Sequence, residues 1–339
     1  MTFGYFVRIT RLPSIGMITK DSQNIDKALK DALDGTAMLF LGAGISELSK
    51  NSQGQMLPNG SALALILAEE LGKENKAYDL GRISQYFRRE KGPRALCELL
   101  SGRLVASNID AKLQEFLGCP WRVIYTTNYD NVIEQSVQHG FSSLSHKSDP
   151  TLVGKRIIHL NGRIEDITPS SIDDDIILTD WSYATSGFPT SKWADVFRSD
   201  LQLAKSVLFV GYSLADLDIA RILIEDELIK SKTIFVVGEG VDEIDVASME
   251  AFGTVYSTGF TYVAARLRQV KKSHVAKESA ENFGSLTEFK IDAPTEARPS
   301  AAVLFEQFVY GKIDLPSLLG TALAFDQQSF LIERPEALT

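Results

Sequence analysis

Thr36-Ala37-Met38-Leu39-Phe40-Leu41-Gly42-Ala43-Gly44-Ile45-Ser46 is a short apolar run that stops at two glycines one residue apart. A run that is apolar on both faces is the pattern of a strand buried inside a parallel sheet. Gly-Ala-Gly allows a tight turn at the carboxyl end of such a strand and brings main-chain N–H groups towards a phosphate, with Ser46 as a further donor. The fingerprint G-x-G-x-x-G is not met, because position 47 is Glu, and no Lys-Ser/Thr pair follows to make a Mg-ATP loop. A purely structural tight turn would have the same residues. The stretch from Glu47 to Gly60, with Gly54 and Pro58 between, is expected to be a polar loop that lids a cofactor.

Four more runs, at 122–127, 156–160, 206–211 and 233–238, share this strand character. Helical spacing fills 22–34, 60–72, 77–90, 93–106, 129–139, 190–204, 215–230 and 260–280. Strand and helix in alternation predict an α/β fold, a doubly wound parallel sheet that binds ligands beyond the carboxyl ends of its strands. The domain is expected over residues 1–281, with its core at about 25–260. A Gly- and Pro-bearing linker follows over 282–300, then a short helical tail over 301–339 that serves oligomerisation or leads into a further domain.

The whole chain has 339 residues, 44% apolar and 23% charged, as expected for a folded globule. Its net charge of −9 argues against a broad nucleic-acid surface. Cys97 and Cys119 are too few for a disulfide framework or a four-cysteine zinc site, and read as buried small apolar residues. There is no membrane-length apolar stretch, and Met1 to Met17 lacks the apolar core and cleavage site of a signal peptide, so a cytoplasmic setting is expected.

The residues just after each strand carry the chemistry. Strand 122–127 ends in Thr126-Thr127-Asn128-Tyr129-Asp130, where Asn128 or Asp130 also suits a helix cap. Strand 156–160 delivers His159, followed by Leu160-Asn161-Gly162; a satisfied core histidine would look alike. Strand 206–211 leads into Gly211-Tyr212-Ser213-Leu214, and strand 233–238 ends at Gly238.

Gly-Ala-Gly-Ile-Ser, Thr-Thr-Asn-Tyr-Asp, His-Leu-Asn-Gly and Val-Gly-Tyr-Ser-Leu, in that order and at those intervals, resemble the sirtuin-like, Rossmann-like NAD-binding domain. More narrowly, they are similar to its bacterial branch that hydrolyses NAD and serves in antiphage defence. The resemblance implies that Gly42, Ala43, Gly44 and Ser46 cradle the pyrophosphate, that Asn128 is a catalytic residue beside the nicotinamide ribose, and that Thr127 and Asp130 of the same motif help bind NAD. It implies that His159 is a general base, neutral near pH 7, and that Gly211, Ser213 and Gly238 line the adenosine side. The four-cysteine zinc module of the deacylases has no counterpart here, so no metal is expected and water becomes the acceptor. The implied reaction is cleavage of the nicotinamide–ribose bond. The alternatives are protein deacylation, ADP-ribosyl transfer, a non-catalytic adenine-nucleotide sensor and a plain interaction module. The branch further implies a homo-oligomer, often a tetramer, and a regulatory or NTPase domain or partner.

Overall fold

The computed structural model describes residues 20–73, 76–137, 140–214 and 216–286. Nine strands are defined: β1 (Ala37–Leu41), β2 (Lys50–Asn51), β3 (Ala106–Asn108), β4 (Val123–Thr126), β5 (Phe141–Ser145), β6 (Lys155–His159), β7 (Ser206–Val210), β8 (Thr233–Val236) and β9 (Thr254–Tyr256). Seven of them form one sheet in the order β5-β6-β4-β1-β7-β8-β9, every neighbouring pair parallel. From β1 the chain builds outward through β4 to β6 and β5, then crosses back to β7, β8 and β9. The order therefore reverses at β1, the switch point at which doubly wound sheets open a ligand crevice. β2 and β3 pair separately as a small antiparallel ribbon.

Alternation along the strands sorts the core into two layers. Leu39 and Leu41 face helices Lys20–Leu33, Ala111–Leu117 and the first half of Gly259–Leu286, through Ile25, Leu29, Phe116, Val263 and Leu267. Met38 and Phe40 face helices Lys192–Leu203 and Leu217–Leu223, through Trp193, Phe197 and Ile219. A third cluster joins helices Gly60–Glu70 and Leu80–Leu104 to residues 164–178. Cys97 and Cys119 are both buried, in different clusters, as apolar filling.

The five strands expected from sequence are all present. β5 and β9 were not foreseen; both are sheet edges, one reading Phe-Ser-Ser-Leu-Ser and the other only three residues long. Two helices expected at 77–90 and 93–106 are the two arms of Leu80–Leu104, which meet at a non-helical Gly92 followed by Pro93. Over the described part of the helix expected at 129–139, residues 129–137, no helix forms. Asp130 accepts from the Val132 N–H at 3.1 Å, and the Asn131 side chain accepts from the Ala106 N–H and donates to Glu165. These side-chain bonds compete with a helical ladder, and residues 131–137 make only turns.

The loop after β1 also differs from expectation. A four-residue helix, Ala43–Ser46, follows β1 directly, and an isolated bridge between Lys50 and Met56 closes a turn over residues 50–56. The chain divides into two units, Met1–Val275 and Ala276–Thr339. In the second, the described residues are 276–286, where the helix runs on past position 282 instead of giving way to a linker. The rest of the expected linker and the 301–339 tail lie outside the described residues, as does the Met1–Met17 opening. Among the described residues no helix is long and apolar enough to cross a membrane.

Candidate functional site

Strand register decides which residues meet. Leu41 pairs with Thr126, Thr126 with His159 and His159 with Ser145; on the other side Leu41 pairs with Val210, Val210 with Val236 and Val236 with Tyr256. All seven strands thus end in one row. The residues that follow, Gly42, Thr127, Leu160, Gly211 and Val237, form a continuous rim at the carboxyl edge.

The centre of that rim is a hydrogen-bonded cluster. Thr126 Oγ1 donates to the Leu41 carbonyl at 2.9 Å and accepts from the Asn128 N–H at 2.9 Å, which fastens the end of β4 to the end of β1. Asn128 Nδ2 donates to Ser46 Oγ at 2.9 Å. His159 Nδ1 lies 2.8 Å from the Asn128 carbonyl oxygen, and its Nε2 lies 2.8 Å from Glu134 Oε1. Asn128, Asp130 and His159 are all buried. Four of the residues singled out from sequence, Ser46, Asn128, Asp130 and His159, therefore converge. Thr127, half-buried, stands beside them on the rim.

His159 lies between two oxygen partners. Nδ1 faces a carbonyl, which only accepts, so Nδ1 carries a hydrogen. Nε2 faces the Glu134 carboxyl group. Burial alone would depress the imidazole, but the hydrogen bond and charge of Glu134 raise it above its ordinary value. The same pairing overcomes burial at Glu134 and lowers its carboxyl. Both ring nitrogens are thus engaged within the protein. Asp130 goes the other way: burial raises its carboxyl against hydrogen bonds from Ser46 and the Val132 N–H.

The N–H groups of Gly42 and Gly44, singled out from sequence, have partners within the protein. Gly42 N–H donates to the Val210 carbonyl at 3.0 Å and Gly44 N–H to the Gly211 carbonyl at 3.1 Å, so both are committed within the protein. Their role is close approach. A Cβ on Gly42 would lie 2.3 Å from the Gly211 oxygen and 2.5 Å from Tyr212 Cα. Gly211 has φ +65°, and a Cβ there would lie 2.7 Å from the Ile45 nitrogen. Ala43 is half-buried on the same turn. Ser213 is exposed beyond Gly211, while exposed Gly238 follows β8, two strands away from β1, and does not join the cluster.

Sequence reasoning missed several partners. Glu134 comes from the 131–137 turn and also accepts from Ser143 of β5. Asn161 Nδ2 donates at 3.0 Å to the hydroxyl of Tyr183, which sits on helix Asp180–Ser186, and Tyr129 donates to the Ile177 carbonyl at 2.8 Å. None of these pairs has a local spacing that announces it.

A family model described as a SIR2-like domain matches residues 122–237, from β4 through β8. NAD(+) hydrolase ThsA of Enterococcus faecium is 27% identical over 220 residues, covering 60% of this chain and 42% of that protein. NAD(+) hydrolase ThsA of Cytobacillus dafuensis is 28% identical over 229 residues, covering 62% of this chain and 42% of that protein. The chain thus spans less than half the length of these relatives. Among solved structures, a Sir2 homolog–NAD complex aligns over 73% of this chain and 94% of its own, with 15% identity and a TM-score of 0.43. A second Sir2 enzyme structure aligns over 74% and 98%, with 17% identity and a TM-score of 0.42.

Proposed function

We propose that this chain, whose residues 122–237 carry a SIR2-like domain, hydrolyses NAD to nicotinamide and ADP-ribose. One observation carries the reading: the register row delivers Ser46, Asn128, Asp130 and His159 into a single buried cluster at the switch point of the sheet. The two relatives named as NAD hydrolases support it.

Nicotinamide departs as a neutral ring from a positively charged pyridinium, so the bond to ribose breaks through an oxocarbenium-like state with little need for acid catalysis. The protein has to position the sugar, exclude bulk water and favour the positive charge that develops on it. Asn128 offers an amide that donates and accepts, suited to hold a ribose hydroxyl or to align the attacking water. Asp130 places carboxylate charge beside the developing cation. Ser46 and Ala43, on the turn after β1, stand where the pyrophosphate would pass, with Thr127, Gly42 and Gly44 shaping that edge. Gly211 and Ser213 border the adenosine side, and Gly238 marks the outer limit of the ligand along the rim. His159 holds the Asn128 main chain through Nδ1, with Glu134 against its Nε2, and stays our candidate for the proton taken from a ribose hydroxyl or the attacking water.

An enzyme that drains NAD is toxic to its own cell. We place this one as an effector of antiphage defence, restrained until assembly into a homo-oligomer or contact with a regulatory domain releases it, within a cytoplasmic pool of NAD and with no metal.

Purified protein mixed with NAD, with nicotinamide, ADP-ribose and cyclised products resolved, tests the reading. Nicotinamide and ADP-ribose should appear in equal amounts, and Asn128→Ala should cut the rate by about 10²-fold or more with an unchanged melting temperature. Nicotinamide release that depends on an added acyl-lysine peptide would make it a deacylase, and tight NAD binding without turnover would make it a sensor. Asn128→Ala at the parent rate would remove the site assignment.

A further inference from the structure

Away from the rim, helix Leu80–Leu104 and the start of helix Asp180–Ser186 border a groove of about 720 Å³. That volume is in the range of small-molecule sites. Its walls combine guanidinium groups with aromatic faces. Arg82, Arg88 and Arg89 come from one stretch of the first helix, and Trp181 comes from the second. Trp181 is 72% exposed, although indoles are on average well buried. Arg89 lies over the ring of Tyr86, 4.7 Å from its centre, and Lys73 reaches the same ring at 5.2 Å.

The protein does not use up the donors of these arginines. Arg82 Nε is 3.6 Å from Asp180 Oδ2, too far for a hydrogen bond. Arg89 spends Nε and Nη2 on its neighbour Glu90, at 3.0 and 2.9 Å, with Nη1 left over. Arg88 binds Asp173 through Nη2, while its Nε is buried with no hydrogen-bond partner among the described residues. A buried N–H without an acceptor is costly, and an anion that draws the guanidinium towards the groove would relieve it. With Lys73, these cations outnumber Asp173, Asp180 and Glu90 by one, in a chain whose net charge is −9.

We propose that this groove is a binding site for a nucleoside monophosphate, separate from the rim. Each part of such a ligand has its match. The phosphate takes the free N–H groups of Arg82, Arg88 and Arg89, whose forked geometry suits its oxygens. The base stacks on the exposed Trp181 indole, and the Arg89–Tyr86 pair offers a second flat surface. Asp173 and Asp180 accept from the ribose hydroxyls. The same two carboxylates repel a long polyanion, which favours a mononucleotide over a strand of RNA. The site does not depend on the NAD reading, because none of these residues belongs to the cluster of Ser46, Asn128, Asp130 and His159.

Intrinsic fluorescence of the full chain tests the groove directly. Trp121 and Trp193 are 0% and 4% exposed, so Trp181 is the tryptophan that a ligand in the groove touches. AMP should quench the emission to saturation with a midpoint at or below about 1 mM. Adenosine and inorganic phosphate, titrated separately, should each need about tenfold more, because each forfeits part of the contacts. Arg82→Ala and Arg89→Ala should each raise the AMP midpoint about tenfold. Their melting temperatures should match the parent, since the two side chains are 80% and 69% exposed. Arg221→Ala, on the exposed side of helix Leu217–Leu223, should leave the midpoint alone. No saturable quenching up to about 10 mM AMP, or a midpoint indifferent to Arg82→Ala and Arg89→Ala, would overturn the proposal. Equal midpoints for AMP and phosphate would do the same, as would quenching by a single-stranded RNA of about ten nucleotides but not by AMP. AMP held only at the adenosine side of the rim would ignore both arginine changes, and so counts against the groove.

Discussion

Gly42→Ala asks how closely the two loops at the switch point are packed. The added carbon would sit 2.3 Å from the Gly211 oxygen and 2.5 Å from Tyr212 Cα, against an ordinary carbon–oxygen contact of roughly 3.4 Å. Relief needs the ends of β1 and β7 to part by about 1 Å. That movement stretches the hydrogen bonds Gly42 N–H to Val210 and Gly44 N–H to Gly211, now 3.0 and 3.1 Å. Two weakened hydrogen bonds at about 1 kcal/mol each, added to about 1–3 kcal/mol of overpacking, give a loss of about 3–5 kcal/mol. For a domain of this size that is a fall of roughly 6–20 °C in melting temperature. Gly44→Ala, whose carbon would lie 3.1 Å from the same oxygen, should fall by less, and Gly238→Ala, with no atom within 4 Å, should stay within about 0.5 kcal/mol of the parent. Calorimetry on the three variants measures the series. Gly42→Ala melting within a degree of the parent, or three equal losses, would refute the close-approach account.

Asp200→Asn tests the polar group buried under β4 and β6. Asp200 accepts from Tyr125 at 2.8 Å and from Arg156 at 2.9 and 3.1 Å, so its loss strands a nearly buried guanidinium and should cost about 3–5 kcal/mol in chemical denaturation. Asp195→Asn, on the same helix but exposed, should change stability by less than about 1 kcal/mol. The His159–Glu134 pair also predicts a pH window for stability. His159 is raised above 6.5, so its contribution is complete below 6.5 and lost as pH rises through the folded value; Glu134 is lowered below 4.5, so its contribution is complete above 4.5 and lost as pH falls through the folded value. The melting gap between the parent and His159→Gln should therefore be widest between pH 4.5 and 6.5, and a gap that ignores pH would exclude the ion pair.

The central strands were legible because β1 and β7 are short, almost wholly apolar runs followed at once by glycine, a signature that survives without context. Their carboxyl ends were legible for the same reason, and with them Ser46, Asn128, Asp130 and His159. What escaped was set by contacts between distant residues. Three serines in five positions hide β5 until β6 offers it an edge. The 129–139 stretch has helical spacing, yet Asp130 and Asn131 satisfy backbone groups that a helix would have used. The partner of His159 is Glu134, 25 residues away, and nothing in the motif around either residue declares the other. The N–H groups of Gly42 and Gly44 were available to a phosphate only while their partners on β7 were unknown.

The central place of β1 has a consequence for the growing chain. Its two neighbours are made at very different times, since β4 is complete by residue 126 and β7 only after residue 210. A ribosome that has released the first 160 residues has supplied β5, β6, β4 and β1, with one side of β1 an open template for any passing strand. Met38 and Phe40 then lack the helix Lys192–Leu203 that will cover them. Truncations that stop before β7 should collect in inclusion bodies, and synthesis of this protein calls for a chaperone across that interval.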